Sequence, residues 1–149
     1  MKRQQGFTLV ELLVVLGIAG LLVALAPVAF ERMREGAQYR DVLRRITADL
    51  RQARQQAVAT GQEARFVLDL QSRAFGVAGR TPFALPDTIE VAATVADIEM
   101  TGQATAAIRF LPEGGATGGT LAVTRPSGSG TRITVDWLSG RLTHTPVQP

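Results

Sequence analysis

Three side chains near the end of the sequence are of the types that form a nucleophile–base–acid triad. Ser139 offers a hydroxyl, His144 is the only histidine of the chain, and Asp136 offers a carboxylate. They lie close together in sequence on a predicted strand pair, and no nucleophile elbow surrounds the serine. We therefore expect no catalytic role for them and predict that the chain is not an enzyme.

Residue types also argue against a bound cofactor. The chain has no cysteine, which excludes disulfide bridges and thiolate ligands, and a single histidine gives no transition-metal cluster. No clustered acidic loop is suited to calcium. The glycine-rich loops lack the lysine of a P-loop, and residues 128–130 lack the third glycine of the dinucleotide pattern. The sequence predicts no metal, no cofactor and no small-molecule substrate.

Glu11 is the remaining chemically unusual residue, because it is the only ionisable side chain between Phe7 and Phe30. As a helix, this apolar run is about 36 Å long, enough to cross a hydrocarbon layer of roughly 30 Å. A carboxylate inside a membrane usually pairs with another group and marks function. We predict that residues 7–30 form a membrane-spanning segment in which Glu11 has a partner.

Two simpler interpretations of this segment remain open. Lys2 and Arg3, the apolar stretch and the Ala-Leu-Ala sequence at 24–26 are compatible with a secretory signal peptide. The segment could also be a plain uncleaved anchor. The apolar region is longer than a signal peptide needs, and neither interpretation explains Glu11.

Residues 2–11 (KRQQGFTLVE) resemble the leader of type IV prepilins and type II secretion pseudopilins: a short basic leader ending in glycine, then Phe, and a Glu at the fifth mature position. The resemblance implies that a prepilin peptidase removes residues 1–6 by cutting between Gly6 and Phe7, and that it N-methylates Phe7. It also implies a partner for Glu11, the terminal amine of Phe7 on a neighbouring subunit. Such a pair would make Glu11 a registry device, since either charge alone is costly to desolvate.

The resemblance further implies a cytoplasmic amino terminus and a periplasmic carboxy-terminal domain at the bacterial inner membrane. The positive-inside count opposes this orientation, because more arginines follow the span than precede it. Long translocated domains escape the charge rule, however, and the leader has to meet its peptidase in the cytoplasm.

Residues 31–61 are predicted to continue the helix beyond the membrane and to end it before Gly61. One face is apolar, with residues recurring at spacings of three and four, and it is expected to lie on a sheet. This face comprises Tyr39, Leu43, Ile46, Leu50, Ala53 and Ala57. The other side carries Arg40, Arg44, Arg45, Arg51 and Arg54, interleaved with Asp41 and Asp49.

The arginine-rich side has three interpretations: a solvated surface with local ion pairs, a subunit-docking face, or a nucleic-acid face. Docking is favoured over DNA, because no aromatic side chains interleave with the arginines to stack on bases. The whole chain has 16 basic and 13 acidic residues, and a net charge of +3 gives little steering toward nucleic acid.

Residues 62–149 are predicted to form a mostly antiparallel β-sheet domain, since the hydrophobic period changes to alternation and glycine- and proline-rich turns separate short runs. The expected strands are residues 64–70, 74–78, 88–92, 106–111, 120–124, 132–137 and 141–143. The fold class is therefore α+β, a long amino-terminal helix packed on this sheet. Trp137 is expected to pack in the core or at a sheet edge rather than to contact a partner.

Residues 110–119 (FLPEGGATGG) and 133–142 (ITVDWLSGRL) resemble the minor pseudopilin H group and its FimT-like pilus relatives. Residues 79–105 lie outside these motifs and are expected to differ between family members. The resemblance implies a type IV pilin-like fold and a structural, tip-proximal subunit of a type II secretion pseudopilus. Its partners would be other major and minor pseudopilins, the prepilin peptidase and the inner-membrane assembly platform.

The alternative is a FimT-like minor pilin of a type IV pilus with a part in DNA uptake. That role would require a basic patch, which Arg125, Arg132 and Arg141 could form with neighbours on the sheet.

Overall fold

The computed structural model describes residues 8–95 and 105–148, without the side chains of residues 25–32. The chain divides between Gly36 and Ala37 into two compact units. The leader at 1–6, with its cleavage and methylation positions Gly6 and Phe7, lies outside the described residues.

Helix α1 spans Leu9–Thr60. Thr8 caps its amino terminus, where its hydroxyl oxygen accepts a hydrogen bond from the Glu11 N–H at 3.2 Å. At the other end, Gly61 has a φ of 66° and its N–H donates to the Ala57 carbonyl at 3.0 Å. A positive φ of this kind favours glycine and satisfies a carbonyl left free by the helix end, so the predicted stop before Gly61 is confirmed.

Among the described residues, no helix combines the length and apolarity that a membrane crossing requires. The predicted span at residues 7–30 extends beyond the described part, because it includes Phe7 and the side chains of residues 25–30. It stays a prediction.

Eight strands follow the helix in the described part of the chain, and the predicted antiparallel arrangement is confirmed. They form two four-stranded sheets with the orders β3-β2-β1-β5 and β4-β6-β7-β8. The strands are β1 (Ala64–Asp69), β2 (Ala74–Val77), β3 (Phe83–Ala84), β4 (Glu90–Val95), β5 (Thr105–Phe110), β6 (Gly119–Thr124), β7 (Gly130–Val135) and β8 (Leu142–Val147).

Both sheets and the second half of α1 share one core. The helix contributes Tyr39, Val42, Ile46, Leu50, Ala53 and Ala57, all buried. This is the predicted apolar face with one exchange: Val42 is fully buried, whereas Leu43 only packs against the edge of the core. The first sheet contributes Phe66 and Phe110 to this core, among other residues, and the second sheet contributes Leu121 and Ile133.

The region at 79–105 contributes β3 and β4, with residues 96–104 outside the described part. Arg73 holds the connection between these strands, since its Nη2 donates to the carbonyls of Pro86 at 3.0 Å and Ile89 at 2.9 Å. The two-residue strand β3 was not predicted. Its Phe83 ring packs against the Phe75 ring, with the two ring centroids 5.4 Å apart.

Candidate functional site

Glu11 lies in the first turn of α1, where the unpaired backbone N–H groups favour a negative charge. Its own N–H is bound by Thr8, three residues earlier, which is the spacing of a capping box. The Thr-x-x-Glu pattern of residues 8–11 is a sequence signal for a helix start, and an interpretation of Glu11 as a membrane charge alone does not include it. The position of Glu11 therefore also serves to begin the helix.

The surface around Glu11 is apolar on every side of the helix. Each large apolar side chain between Leu9 and Val23 is more than half exposed, from 54% at Leu12 to 76% at Leu9. A helix that is apolar all round is normally buried in a membrane or among other helices. This part of α1 is therefore a surface for lipid or helix packing with one carboxylate in its first turn.

The arginine-rich side of α1 is partly structural. The Arg45 guanidinium lies 4.9 Å from the centroid of the Phe83 ring, and the Arg54 Nε donates to the Gly114 carbonyl at 3.2 Å. Asp49 sits among these arginines with its pKa raised by burial, against the lowering effect of the nearby Arg45 and Arg80 charges. Arg45 and Arg54 are nevertheless exposed, as are Arg40, Arg44 and Arg51.

The two downstream motifs meet in space next to Arg54. The Ala116 N–H donates to the Trp137 carbonyl at 2.9 Å, and a Cβ on Gly115 would lie 3.2 Å from the carbonyl oxygens of Trp137 and Leu138. Glycine at this position therefore permits the close approach of the two loops. The carbonyl of Gly114, in the first motif, is the acceptor of the Arg54 bond.

The triad candidates do not form a triad. The Asp136 carboxylate accepts hydrogen bonds from the Ser139 hydroxyl at 2.7 Å and the Ser139 N–H at 2.8 Å. These bonds, the hydroxyl first, lower the pKa of Asp136. His144 lies on β8 in register with Ile133. Because the serine proton points to a carboxylate within a turn, the geometry is that of a turn stabilised by its own side chains.

Trp137 does not pack as expected. Its side chain is 68% exposed, and that of Leu138 is 71% exposed. The prediction was wrong because the motif contacts the neighbouring glycine loop through its backbone, at Ala116 and Gly115, and not through the indole. The exposed side chains of Trp137 and Leu138 fit the alternative, a contact with a partner.

The three arginines considered for DNA lie in different settings. The Arg125 guanidinium stacks over the Tyr39 ring at 4.1 Å from its centroid, and the Tyr39 hydroxyl is 2.7 Å from the Thr131 hydroxyl. Arg132 is exposed on β7. Arg141 lines a cavity with Arg51 and Arg54 of the helix. Arg125 and Arg132 are not among the residues that line this cavity.

Within residues 8–95 and 105–148, no group of three or more His, Asp or Glu side chains is arranged to hold a metal ion.

Family models match both the amino-terminal part of the chain and its β-domain. The model of the family described as "Type II transport protein GspH" matches residues 42–140. The chain belongs to the GspH family. It is 33% identical over 147 residues to "Type II secretion system protein H" of Xanthomonas campestris pv. campestris, which covers 99% of this chain and 86% of the relative. GspH members are structural pseudopilins, and the chain is of the minor pseudopilin type.

The amino terminus has its own match. The prokaryotic N-terminal methylation motif covers residues 1–27. Such a prepilin-like motif implies a membrane-anchored pseudopilin. Membership of the GspH family implies interaction with other pseudopilins.

Solved structures agree with the fold. The type IV minor pilin FimU of Pseudomonas aeruginosa is similar with a TM-score of 0.50 at 15% identity, covering 80% of this chain and 91% of that one. The minor pseudopilin EpsH of Vibrio cholerae has a TM-score of 0.49 at 15% identity, covering 76% of this chain and 94% of that one. The GspH chain has a pilin-like fold, similar to that of FimU, as the resemblance of its leader and downstream motifs implied.

Proposed function

We propose that this GspH chain is a structural, tip-proximal minor subunit of the type II secretion pseudopilus and supports export of folded proteins across the outer membrane. The observation that carries the proposal is the presence of two matches on one chain, the methylation motif at residues 1–27 and the GspH family model at residues 42–140. The subunit has no catalytic role; its peptidase and the assembly machinery supply the chemistry and the energy.

Processing and topology follow from the leader. The prepilin peptidase cuts between Gly6 and Phe7 on the cytoplasmic side and methylates the new terminus at Phe7. Residues 7–30 hold the subunit in the inner membrane as a single span, residues 31–61 continue the helix into the periplasm, and residues 62–149 form the periplasmic β-domain. On assembly, the subunit leaves the membrane for the pseudopilus through the inner-membrane platform.

Glu11 sets the register of assembly by pairing with the Phe7 amine of a neighbouring subunit. The structure supports this role in two ways: the Glu11 side chain is exposed, and large apolar side chains surround it. Opposite charges attract strongly where water is excluded, and an unpaired charge there is penalised. A subunit displaced along the bundle would leave both charges without partners.

Mass spectrometry of the full chain recovered from its native membrane tests the processing step. The expected amino terminus is N-methylated Phe7, and a strain without the peptidase should retain Met1. A terminus near residue 27 would instead indicate a cleaved signal peptide and would contradict the proposal.

Two substitutions separate the capping role of Glu11 from its pairing role. Glu11→Gln keeps a side chain that suits a capping box but removes the charge, whereas Thr8→Ala removes the cap but keeps the charge. We expect Glu11→Gln to insert normally and to reduce incorporation into pseudopili and secretion at least about tenfold. Thr8→Ala should cost only about 1 kcal/mol of helix stability. The reverse ranking in an incorporation and secretion assay would assign Glu11 to capping instead.

The second candidate is a FimT-like minor pilin of a type IV pilus, favoured by the fold likeness to the pilin FimU. Deletion of the gene distinguishes the two: loss of protein export with intact pili supports the pseudopilus, and loss of pili or DNA uptake with intact export supports the pilus.

A further inference from the structure

The most exposed large apolar side chains among the described residues of 37–149 are adjacent in sequence. Trp137 and Leu138 are 68% and 71% exposed, compared with 53% for Val58 and 42% for Leu70. We call Trp137 and Leu138 the apolar tip. Two neighbouring exposed apolar side chains, one of them tryptophan, have the composition of a binding hot spot rather than of an ordinary surface.

The apolar tip stands on a backbone that is fixed on both sides. The Asp136 N–H donates to the Arg141 carbonyl at 2.9 Å, and the Gly140 N–H donates to the Asp136 carbonyl at 2.8 Å. The Ser139 bonds to the Asp136 carboxylate close the turn, and the Ala116 N–H holds the Trp137 carbonyl. A partner would therefore bind a preorganised surface and would lose little backbone entropy there.

The turn that carries the apolar tip also lines a basic cavity, although Trp137 and Leu138 are not among the lining residues. Its volume is about 500 Å³, and Ser139, Gly140 and Arg141 line it opposite Arg51 and Arg54 of α1. We call the group Arg51, Arg54 and Arg141 the arginine cavity. None of its lining residues is acidic, and within the described residues neither Arg51 nor Arg141 forms an ion pair.

Arginine side chains that line one cavity favour a carboxylate or a phosphate, which guanidinium groups bind through paired N–H donors. The apolar tip decides between these ligands. A phosphate backbone would not remove the apolar surface of Leu138 from water. An apolar side chain on a protein partner would cover both Leu138 and Trp137.

We propose that the apolar tip and the arginine cavity together bind a segment of another pseudopilin that carries an Asp or Glu beside an apolar side chain. The carboxylate enters the arginine cavity, and the apolar side chain covers Trp137 and Leu138. The carboxylate-bearing segment follows from the site; its place on another pseudopilin rests on the proposed function.

Site-specific photo-crosslinking in cells tests this site on the full chain. Benzoylphenylalanine replaces Leu138, and in a parallel strain it replaces Leu70, which is exposed in the turn between β1 and β2. We expect Leu138 to crosslink to one pseudopilin at a peptide containing an Asp or Glu beside an apolar residue, and Leu70 not to do so.

Charge reversal supplies the matched control. Arg51→Glu with Arg141→Glu should lower the crosslink yield at Leu138 about tenfold or more, because the carboxylate would then be repelled. Arg40→Glu with Arg44→Glu makes the same change in net charge on exposed positions outside the cavity and should leave the yield unchanged. Arg54 is left intact in both, since it also holds Gly114. Circular dichroism confirms folding of each variant.

Three results would overturn the site: a Leu138 yield no higher than that at Leu70, a protein adduct insensitive to Arg51→Glu with Arg141→Glu, or a nucleic-acid adduct. An adduct with an acidic–apolar segment of a protein that is not a pseudopilin would keep the site and would count against the proposed function. The terminus measured by mass spectrometry tests that function separately.

Discussion

Arg54 belongs by sequence to a row of basic residues on one side of α1, yet its contacts are those of a structural side chain. Its Nε binds the Gly114 carbonyl, and a Cβ added at Gly140 would lie 3.1 Å from its Cδ. The aliphatic stem thus covers one loop while the charged end holds another. Charge patterning predicted a basic helix side but could not identify this role, because both loop contacts come from residues distant in the sequence.

The sequence was sufficient to single out Glu11, but it led to a wrong prediction of the burial of Trp137. A lone carboxylate in an apolar run is detectable from hydropathy alone. The exposure of Trp137 is not, because an aromatic residue at a strand end usually packs. Only the structure shows that the Gly115 loop approaches the Trp137 backbone while the side chain stays exposed.

Asp136→Asn tests the turn that carries the apolar tip. The pKa of Asp136 is lowered in the folded chain from its usual 3.8, chiefly by the Ser139 hydroxyl. The charged carboxylate therefore stabilises the fold above pH 3.8, and this stabilisation is lost as the pH falls through the lowered pKa. We expect Asp136→Asn to have a lower thermal midpoint than the wild type at pH 7, and the two midpoints to converge in acid. A difference independent of pH would show that the charge is not involved.

Among the elements, α1 was the most predictable. Its buried face depends on a local period of 3.6 residues, and its end depends on Gly61, so both could be predicted without knowledge of the partners. The pairing of β5 with β1, which sets Ala64 opposite Phe110, joins distant parts of the chain. The division into two sheets follows from such pairings, so it cannot be predicted from a local sequence pattern. The strand β3 was missed because two residues show no period.

Leu50→Ala measures how much the buried helix face contributes. Leu50 is fully buried among residues of the shared core, and removing its side chain leaves a cavity. We expect the free energy of unfolding to fall by about 2 to 5 kcal/mol. Val58→Ala on the same helix removes a side chain that is 53% exposed, and it should change the free energy of unfolding by less than about 0.5 kcal/mol. Urea unfolding followed by circular dichroism compares them, and equal effects would contradict the assigned face.

For the whole molecule, the division after Gly36 separates two surfaces with different requirements. The large side chains of Leu9–Val23 are exposed and need lipid or neighbouring helices, whereas every buried core residue among the described residues is Tyr39 or follows it. The leader and family motifs could not give the position of this division, which depends on where the core contacts begin.

A fragment of residues 37–149 should therefore fold without the preceding helix. We expect its thermal midpoint to lie within about 4 °C of that of the full chain in detergent, a difference below roughly 1 kcal/mol. A fragment of residues 44–149 lacks the buried Tyr39 and Val42 and should melt clearly lower. An unfolded 37–149 fragment would show that the first unit is needed for the core.

The position of Trp137 also determines what fluorescence can report. It is the only tryptophan of the chain, and in the folded state its indole already faces water. Unfolding should therefore change its emission wavelength little, so the indole is a poor indicator of the native state. Any molecule that covers the indole would shift the emission to shorter wavelength, which gives the protein an intrinsic optical sensor of docking without an added label.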